Sequence, residues 1–524
     1  MSAGMADGHD RVGLAVAGVT VLALVARLVG LDARPFHWDE ARVGYWTLRY
    51  LETGVWSYRP VAGGPLLYHL GAVTMGLLGV SDAVARLPVA VAGGLLPLSA
   101  LLFRRRLDDI ETIALAVVLA ASPLLVYFSR GLRGDVLAAG LALVTLGALV
   151  RAYDGETGYA SLAGLSAAGA LAASGFAVAS PLAALLAGTV VIDHDRVAGR
   201  PAAARARVAA LRRWVTESAR TVTTSLLTFV VALVVLFAPR PLGPESVSGA
   251  LVDAPRAFVG VRIVDRSPDG THELLPYLAD TVSVLVAVSL PVALFALYAL
   301  ARIRYGPDGD RAVVAFAAYY GFSGLFLFPV VAESFGPWIL VHVVVFLAVP
   351  AAVGAGALYR TAMRALDRSA ARETVAVSLL FIALVAQTGA VAADEVYAAP
   401  THEATLATYG QPADDLEPVH DALVRSGGPV LLYGDDLTLR PEATAGSPPV
   451  SSRFGERLPV AWYLERAGAD VTSAASPGSL SAPPPVVVTT AADRSEVAGR
   501  LDGYESTTYR TALWNRRTVV FVRT

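Results

Sequence analysis

Two adjacent carboxylates, Asp39 and Glu40 in the run Phe36-His37-Trp38-Asp39-Glu40-Ala41-Arg42, follow the first long apolar segment by a few residues. Acids at the edge of a bilayer give up hydration, which is costly unless they pair, bind a cation or take part in chemistry. The chemistry open to such a carboxylate is removal of a proton from an acceptor hydroxyl or nitrogen, with low dielectric raising its pKa and nearby arginines lowering it. The bland alternative is a helix start, with Asp39 as N-cap and Glu40 in the first turn. One residue of helix turns the side chain by about 100°, so Glu40 points elsewhere than Asp39 and has Arg59 or Arg86 as pairing partners. A divalent cation also suits hard oxygen ligands, but two acids are too few to define a metal site, and no segment carries a nucleotide fingerprint.

The second set of reactive types is cationic. Arg130 and Arg133, in Ser129-Arg130-Gly131-Leu132-Arg133-Gly134-Asp135, bracket a helix break, and guanidinium suits bidentate grip on a phosphate. Their alternative is snorkelling to the interface with a salt bridge to Asp135. Arg86 could serve likewise, or pair with Asp82. Glu333, Trp338 and His342 lie near one end of a later span, with Trp338 and His342 four residues apart on one helix face; the alternative for the tryptophan is an interfacial anchor. His272-Glu273 is half of a metal pair without its second histidine and reads as loop, and Tyr433-Gly434-Asp435-Asp436 reads as a turn after a strand.

These residues must be positioned by membrane helices. The chain of 524 residues is 55% hydrophobic and 16% charged, and its apolar residues come in long blocks. On the ruler of about 20 residues per span, eleven segments qualify, near 11–31, 85–103, 110–129, 135–151, 159–174, 178–192, 221–238, 276–300, 312–331, 338–358 and 374–392. The stretch 159–192 is split at Ser174-Gly175. Two further segments, the one beginning at Trp38 and Pro65 to Val80, read as helices lying in the interface. Arginine clusters at 104–106, 196–220, 302–311 and 360–372 fall on one parity, which the positive-inside rule makes cytoplasmic. That leaves Leu31 to Ala85, Pro239 to Leu275, Glu333 to Pro337 and everything after Ala393 outside, with the N-terminus inside. Met1 to Asp10 lacks a cleavable signal, so the first span is expected to be a retained anchor.

The net charge of -2 and the absence of a basic patch give no footprint for nucleic acid. Cysteine and lysine are both absent, which removes disulfides, thiolate metal sites and amine nucleophiles. From about Thr401 the composition changes. Helix-like segments (Asp414 to Arg425, Pro459 to Ala467, Asp493 to Leu501) alternate with apolar runs (Val430 to Tyr433, Pro485 to Val488, Val519 to Val522), which predicts a small soluble α/β unit. The expected division is a membrane domain over 1–392 and an extracytoplasmic α/β domain over 393–524.

Several motifs in order resemble the GT-C membrane glycosyltransferases of the protein O-mannosyltransferase and aminoarabinose-transferase type. They are the first span, Asp39-Glu40, Gly54-Val55-Trp56, Pro65-Leu66-Leu67-Tyr68, Leu77-Leu78-Gly79-Val80-Ser81-Asp82 and Ala85-Arg86-Leu87-Pro88. Within that superfamily the chain is most similar to archaeal membrane proteins associated with lipid-carrier flipping in N-glycosylation, through Ser129 to Asp135, Glu333 with Pro337-Trp338 and His342, and Trp462-Tyr463-Leu464. The resemblance implies transfer of a sugar from a polyprenyl-phosphate carrier to a glycan, lipid or protein acceptor at the outer membrane face. It implies Asp39 as the base with Glu40 beside it, and Arg130 and Arg133 on the carrier phosphate. Where related enzymes have Lys-Pro-Pro-Leu or His-Gly-Pro, this chain has Gly63-Gly64-Pro65-Leu66, which leaves Arg59 or His69 to supply that contact. The rival expectation is a non-catalytic flippase-associated protein that binds or moves the same lipid-linked sugar.

Overall fold

In a computed structural model the chain is a multi-pass helical bundle capped by a five-stranded sheet. The structure describes residues 2–60, 63–197, 201–264, 273–306, 311–332, 336–398, 404–407, 410–439, 452–512 and 516–524. The helices are α1 (Ser2–Leu28), α2 (Trp38–Thr53), α3 (Pro65–Leu78), α4 (Asp82–Leu95, continued as a 3-10 helix Leu96–Phe103), α5 (Asp109–Ala121), α6 (Pro123–Ser129), α7 (Asp135–Tyr153), α8 (Tyr159–Ala173), α9 (Ser180–Val197), α10 (Pro201–Glu217) and α11 (Ala219–Phe237). After the short α12 (Ser246–Ser248) and α13 (Ala254–Val259) come α14 (Leu274–Tyr305), α15 (Ala312–Val331), α16 (Ile339–Asp367) and α17 (Ala371–Ala392).

Among the described residues nine helices are long and apolar enough to cross a membrane, and the pair α5 and α6, bent by 52°, makes a tenth. One of the eleven expected spans, the fifth, over 159–174, corrects to α8, whose 15 residues are too few for a comfortable crossing. It is nonetheless antiparallel to α7. A Cβ on Gly134, at the start of α7, would lie 1.8 Å from the carbonyl oxygen of Ala173, at the end of α8. Small residues let α8 approach its neighbours closely, Gly164 lying against the backbone of Ser225 in α11, and Thr145 and Ser166 hydrogen-bond across α7 and α8 at 2.9 Å. The expected break at Ser174-Gly175 is present. The chain therefore reverses direction between α7 and α8.

Those clusters meet at one end of the bundle. Glu111, 1% exposed, accepts from Arg311 at 2.5 and 2.8 Å and from Arg360 at 3.0 Å, while Arg311 also reaches the carbonyl of Arg106 at 2.8 Å. A buried carboxylate with two guanidinium partners ties α5, α15 and α16 together, and α16, buried along nearly its whole length, is the axis of the core.

At the other end α2 and α3 are short helices in the loop between the first two spans, as expected. The α5/α6 bend has a local cause. Pro123 has no N–H to give the carbonyl of Leu119, and Arg27, fully buried in α1, donates to Leu119 O at 3.2 Å and to Ala120 O at 3.1 Å. An arginine inside a span is a functional residue by default; this one closes a broken helix.

The C-terminal unit has the sheet order β2-β1-β3-β5-β4, with β1 (Val430–Tyr433), β2 (Val471–Ala474), β3 (Val486–Thr490), β4 (Tyr504–Ala512) and β5 (Arg516–Arg523). The first three strands are parallel and the last two antiparallel, and Leu432, Val488 and Val520 share a row. Helices α18 (Glu417–Ser426), α19 (Ser452–Glu456), α20 (Val460–Arg466) and α21 (Arg494–Ala498) accompany it. The unit sits on α2. Trp462 stacks on Phe36 at 4.8 Å, Trp38 donates to Gly455 O at 2.9 Å, and Arg49 pairs with Glu465 at 3.2 Å.

Candidate functional site

The start of α2 is built by His37, not by an aspartate cap. The imidazole Nδ1 accepts from Asp39 N at 3.0 Å, and the carboxylate of Glu40 accepts from His37 N at 2.8 Å. Asp39 and Glu40 both fall in the first turn, where the helix dipole favours them, and they then part company.

Glu40, 4% exposed, is clamped by Arg86, whose Nε and Nη2 donate to its two oxygens at 2.9 and 2.7 Å. Leu132 N adds a third contact at 2.6 Å. The other Arg86 hydrogens go to the carbonyls of Leu31, Arg34 and Pro35, so all five donors of the guanidinium are used. Burial pushes the Glu40 carboxyl up, but Arg86 and the two backbone N–H groups outweigh it and bring the pKa down to about 2. Of the alternatives for Glu40, the pairing is with Arg86 and not Arg59, which is exposed. Asp82 is not the partner of Arg86; it accepts from Trp462 Nε1 at 2.8 Å, Tyr463 OH at 3.3 Å and Arg466 Nη1 at 3.1 Å.

Asp39 keeps about a quarter of its side chain exposed and accepts from Arg133 Nη1 at 2.5 Å. Burial pushes its carboxyl up, but Arg133, then His37 and Arg42, hold it below the ordinary carboxylate range. Arg133 is shared: its Nε reaches Asp135 at 3.2 Å and its guanidinium lies 3.9 Å over the Trp338 ring. Asp135 is buried, accepts from Ser174 at 3.1 Å and has His342 Nε2 at 3.5 Å, long for a hydrogen bond. Trp338 and His342 thus converge on the Arg133-Asp135 pair from the first turn of α16.

Other expected residues lie elsewhere. Arg130 is buried and spends its guanidinium on carbonyls at and just beyond the end of α1, those of Ala26, Arg27, Val29 and Gly30, at 2.6–3.2 Å. His69 meets Leu236 O at 3.0 Å and packs beside Tyr50 and Trp56. A side chain at Gly64 has no room, because a Cβ there would lie 2.1 Å from Ala172 O. Glu333 and His272 fall outside the described residues.

Between these groups is a cavity of about 30 Å³, walled by Arg34, His37, Glu40, Tyr127, Arg133, Trp338, Leu406 and Gln411. It has room for about one water. Arg34, whose guanidinium lies 4.0 Å over the Tyr127 ring and reaches Tyr127 O at 3.3 Å, adds a cation that sequence reasoning missed. Sequence reasoning also missed His37, a neutral cap whose only signal was a glutamate three residues on. Asp39 and Glu40 are each committed to a different arginine. Among the described residues the one group with metal-ligand spacing is Glu417, His420 and Asp421 in α18, where Glu417 is engaged by Arg466.

Burial brings the His37 pKa down to about 4, Asp39 and Glu40 opposing and Arg133 and Arg34 assisting. The unfolded chain takes up a proton below about pH 6.5 that folded His37 refuses until about 4, so folding stability falls as pH drops through that window. His69, also depressed by burial, adds to the loss. The contribution of Glu40 is complete above about pH 4.5 and is lost only as pH falls toward 2. Melting temperatures in detergent across pH should fall in this order, and His37→Asn, which keeps a cap acceptor, should flatten the upper limb without moving the lower one.

Residues 413–523 match the family model described as the Agl23 flippase-associated protein C-terminal domain. No curated protein matches the chain by sequence. In three dimensions it is similar to ArnT from Cupriavidus metallidurans bound to undecaprenyl phosphate, with a TM-score of 0.61, 16% identity and 98% of both chains covered. The apo state of that protein gives 0.62 at 15% identity. The archaeal oligosaccharyltransferase AglB from Archaeoglobus fulgidus, in complex with an inhibitory peptide and a dolichol-phosphate, gives 0.52 at 13% identity over 96% of this chain and 74% of that one. The chain thus has the fold of ArnT over nearly its full length, and its C-terminal residues 413–523 are similar to the C-terminal domain of the Agl23 flippase-associated protein.

Proposed function

We propose that this protein is a membrane glycosyltransferase that takes a sugar from a polyprenyl-phosphate carrier and attaches it to an acceptor at the membrane face bearing Asp39. The observation that carries the reading is the shared guanidinium of Arg133, held between Asp39 and Asp135 beside a cavity that Arg34 also lines. The carrier class is supported by the undecaprenyl phosphate and dolichol-phosphate bound by the structural relatives.

An arriving phosphate competes with Asp39 for Arg133. Once released, the carboxylate loses the charge that holds its pKa down and becomes a better base. It takes the proton from the acceptor as the acceptor atom bonds the anomeric carbon, and the carrier phosphate leaves with the electron pair of the broken bond. The phosphate gains negative charge in that step, and Arg133 and Arg34 are fixed cations for it. A single displacement of this kind inverts the anomeric centre. Facing the exterior is the orientation that the arginine-rich opposite end requires.

A second reading, a non-catalytic partner that binds or moves the lipid-linked sugar, is supported by the ion pairs occupying both acids and by the description of the matched C-terminal family. Both readings need the carrier at this end of the bundle. A photoactivatable polyprenyl-phosphate hexose should label residues 31–42 and 127–135 of the purified protein, and Arg133→Ala should cut the labelling at least tenfold, the scale of one charge-assisted phosphate contact at about 1.5–3 kcal/mol. Labelling at the opposite end, or labelling indifferent to Arg133, would remove both.

A further inference from the structure

Between the spans α9 and α11 the chain forms a helix that crosses nothing. α10 is joined to Val197 of α9 through residues 198–200 and to Ala219 of α11 through Ser218 alone. Both ends are therefore held at the membrane surface, at the end of the bundle opposite Asp39. One side of α10 is packed: Ala204 is fully buried and the Trp214 ring lies 5.6 Å from that of Tyr153.

On the same helix face as Ala204 but further along α10, Val208, Leu211 and Val215 recur at spacings of three and four and are 46%, 55% and 42% exposed. On an ideal helix Arg212 lies about 40° and Arg205 about 60° from Val208, and both are exposed. The helix carries four arginines against the single acid Glu217. An exposed apolar stripe is costly in water, and a surface with this charge repels other cations. A helix pinned at the bilayer surface by its own chain has one complementary surface within reach. Acyl chains take the apolar stripe, and anionic headgroups take the guanidinium groups that snorkel beside it.

We propose that α10 is a membrane-surface anchor that binds anionic phospholipid on the leaflet opposite the Asp39 site. The proposal does not rest on the transferase reading. It sets the lipid composition in which that end of the bundle is held to the membrane, through the α9 and α11 ends to which α10 is joined.

The absence of cysteine makes the test direct, because a single introduced thiol is unique. Leu211→Cys and Ala209→Cys, about 160° apart around the helix, are labelled with an environment-sensitive fluorophore in the full-length protein. Each is reconstituted in vesicles of phosphatidylcholine, or of phosphatidylcholine mixed equally with phosphatidylglycerol. The Leu211 label should be quenched by a nitroxide lipid, severalfold more with phosphatidylglycerol and less again at high salt. The Ala209 label should stay open to aqueous iodide in both. Adding Arg205→Gln and Arg212→Gln should remove the phosphatidylglycerol preference, each arginine accounting for about a fivefold effect. A Leu211 label open to iodide in both lipids overturns the proposal, as does one shielded from iodide and nitroxide alike, the mark of a protein partner. A lipid preference that survives loss of both arginines overturns it too.

Discussion

Replacing Asp39 with asparagine should reduce sugar transfer by about 10²- to 10⁴-fold, the contribution of a positioned general base, while the protein still accumulates and still binds its carrier. The side chain is partly exposed and its one strong contact is to Arg133, which keeps Asp135 when Asp39 is neutralised. Removing the carboxylate also removes the competitor for the carrier phosphate, so binding of the photoactivatable carrier should be retained or tightened. Arg133→Ala, by contrast, should lose binding and transfer together. The measurement is turnover in proteoliposomes supplied with lipid-linked sugar and acceptor, alongside cross-linking of the same preparations. An asparagine variant that turns over at the wild-type rate would sink the base assignment and leave the carrier-binding reading in place.

Glu40→Gln is expected to act on the fold instead. The substitution leaves Arg86, 1% exposed, as a buried cation without its counter-charge, and breaking a buried ion pair by removing one partner costs about 3–5 kcal/mol. Arg86 also holds the carbonyls of Leu31, Arg34 and Pro35, so the damage reaches the loop that carries Arg34 into the cavity. The variant should melt well below the wild type in detergent, and its lost activity should track its lost folded fraction. Arg86→Met should behave alike. A Glu40→Gln protein with wild-type melting and no turnover would instead place Glu40 in the chemistry and refute the clamp.

The acids could be found from sequence because charge beside a long apolar run is costly and stands out. The order of helices was legible for a related reason: spans, short loop helices and arginine clusters are features of composition over some twenty residues. What separates Asp39 from Glu40 was not legible. Both are first-turn acids, and their difference lies in whether Arg133 or Arg86, 94 and 46 residues away, lies across from each. Arg130 looked like a phosphate ligand because a guanidinium at a helix break suits one, yet the same geometry makes it a cap for α1. Arg27 was hidden inside an otherwise apolar span, and only the bend at Pro123 accounts for it. The strands β2 and β4 went unrecognised because Val471–Ala474 and Tyr504–Ala512 are rich in threonine, serine and charge and lie at the sheet edges. The bare Gly63-Gly64 looked like a missing side chain and is a place where two backbones touch.

The hydrogen bond from Trp462 to Asp82 joins residues 380 positions apart, and it holds the C-terminal unit against the segment that presents Asp39. During synthesis every span is made before this contact can form, and a nascent chain carries all of its membrane helices while the sheet is still unmade. Docking of the C-terminal unit on Asp82 is thereby deferred to the final stage of translation. A chain released early by a stalled ribosome would carry its membrane helices but lack the unit that packs on α2.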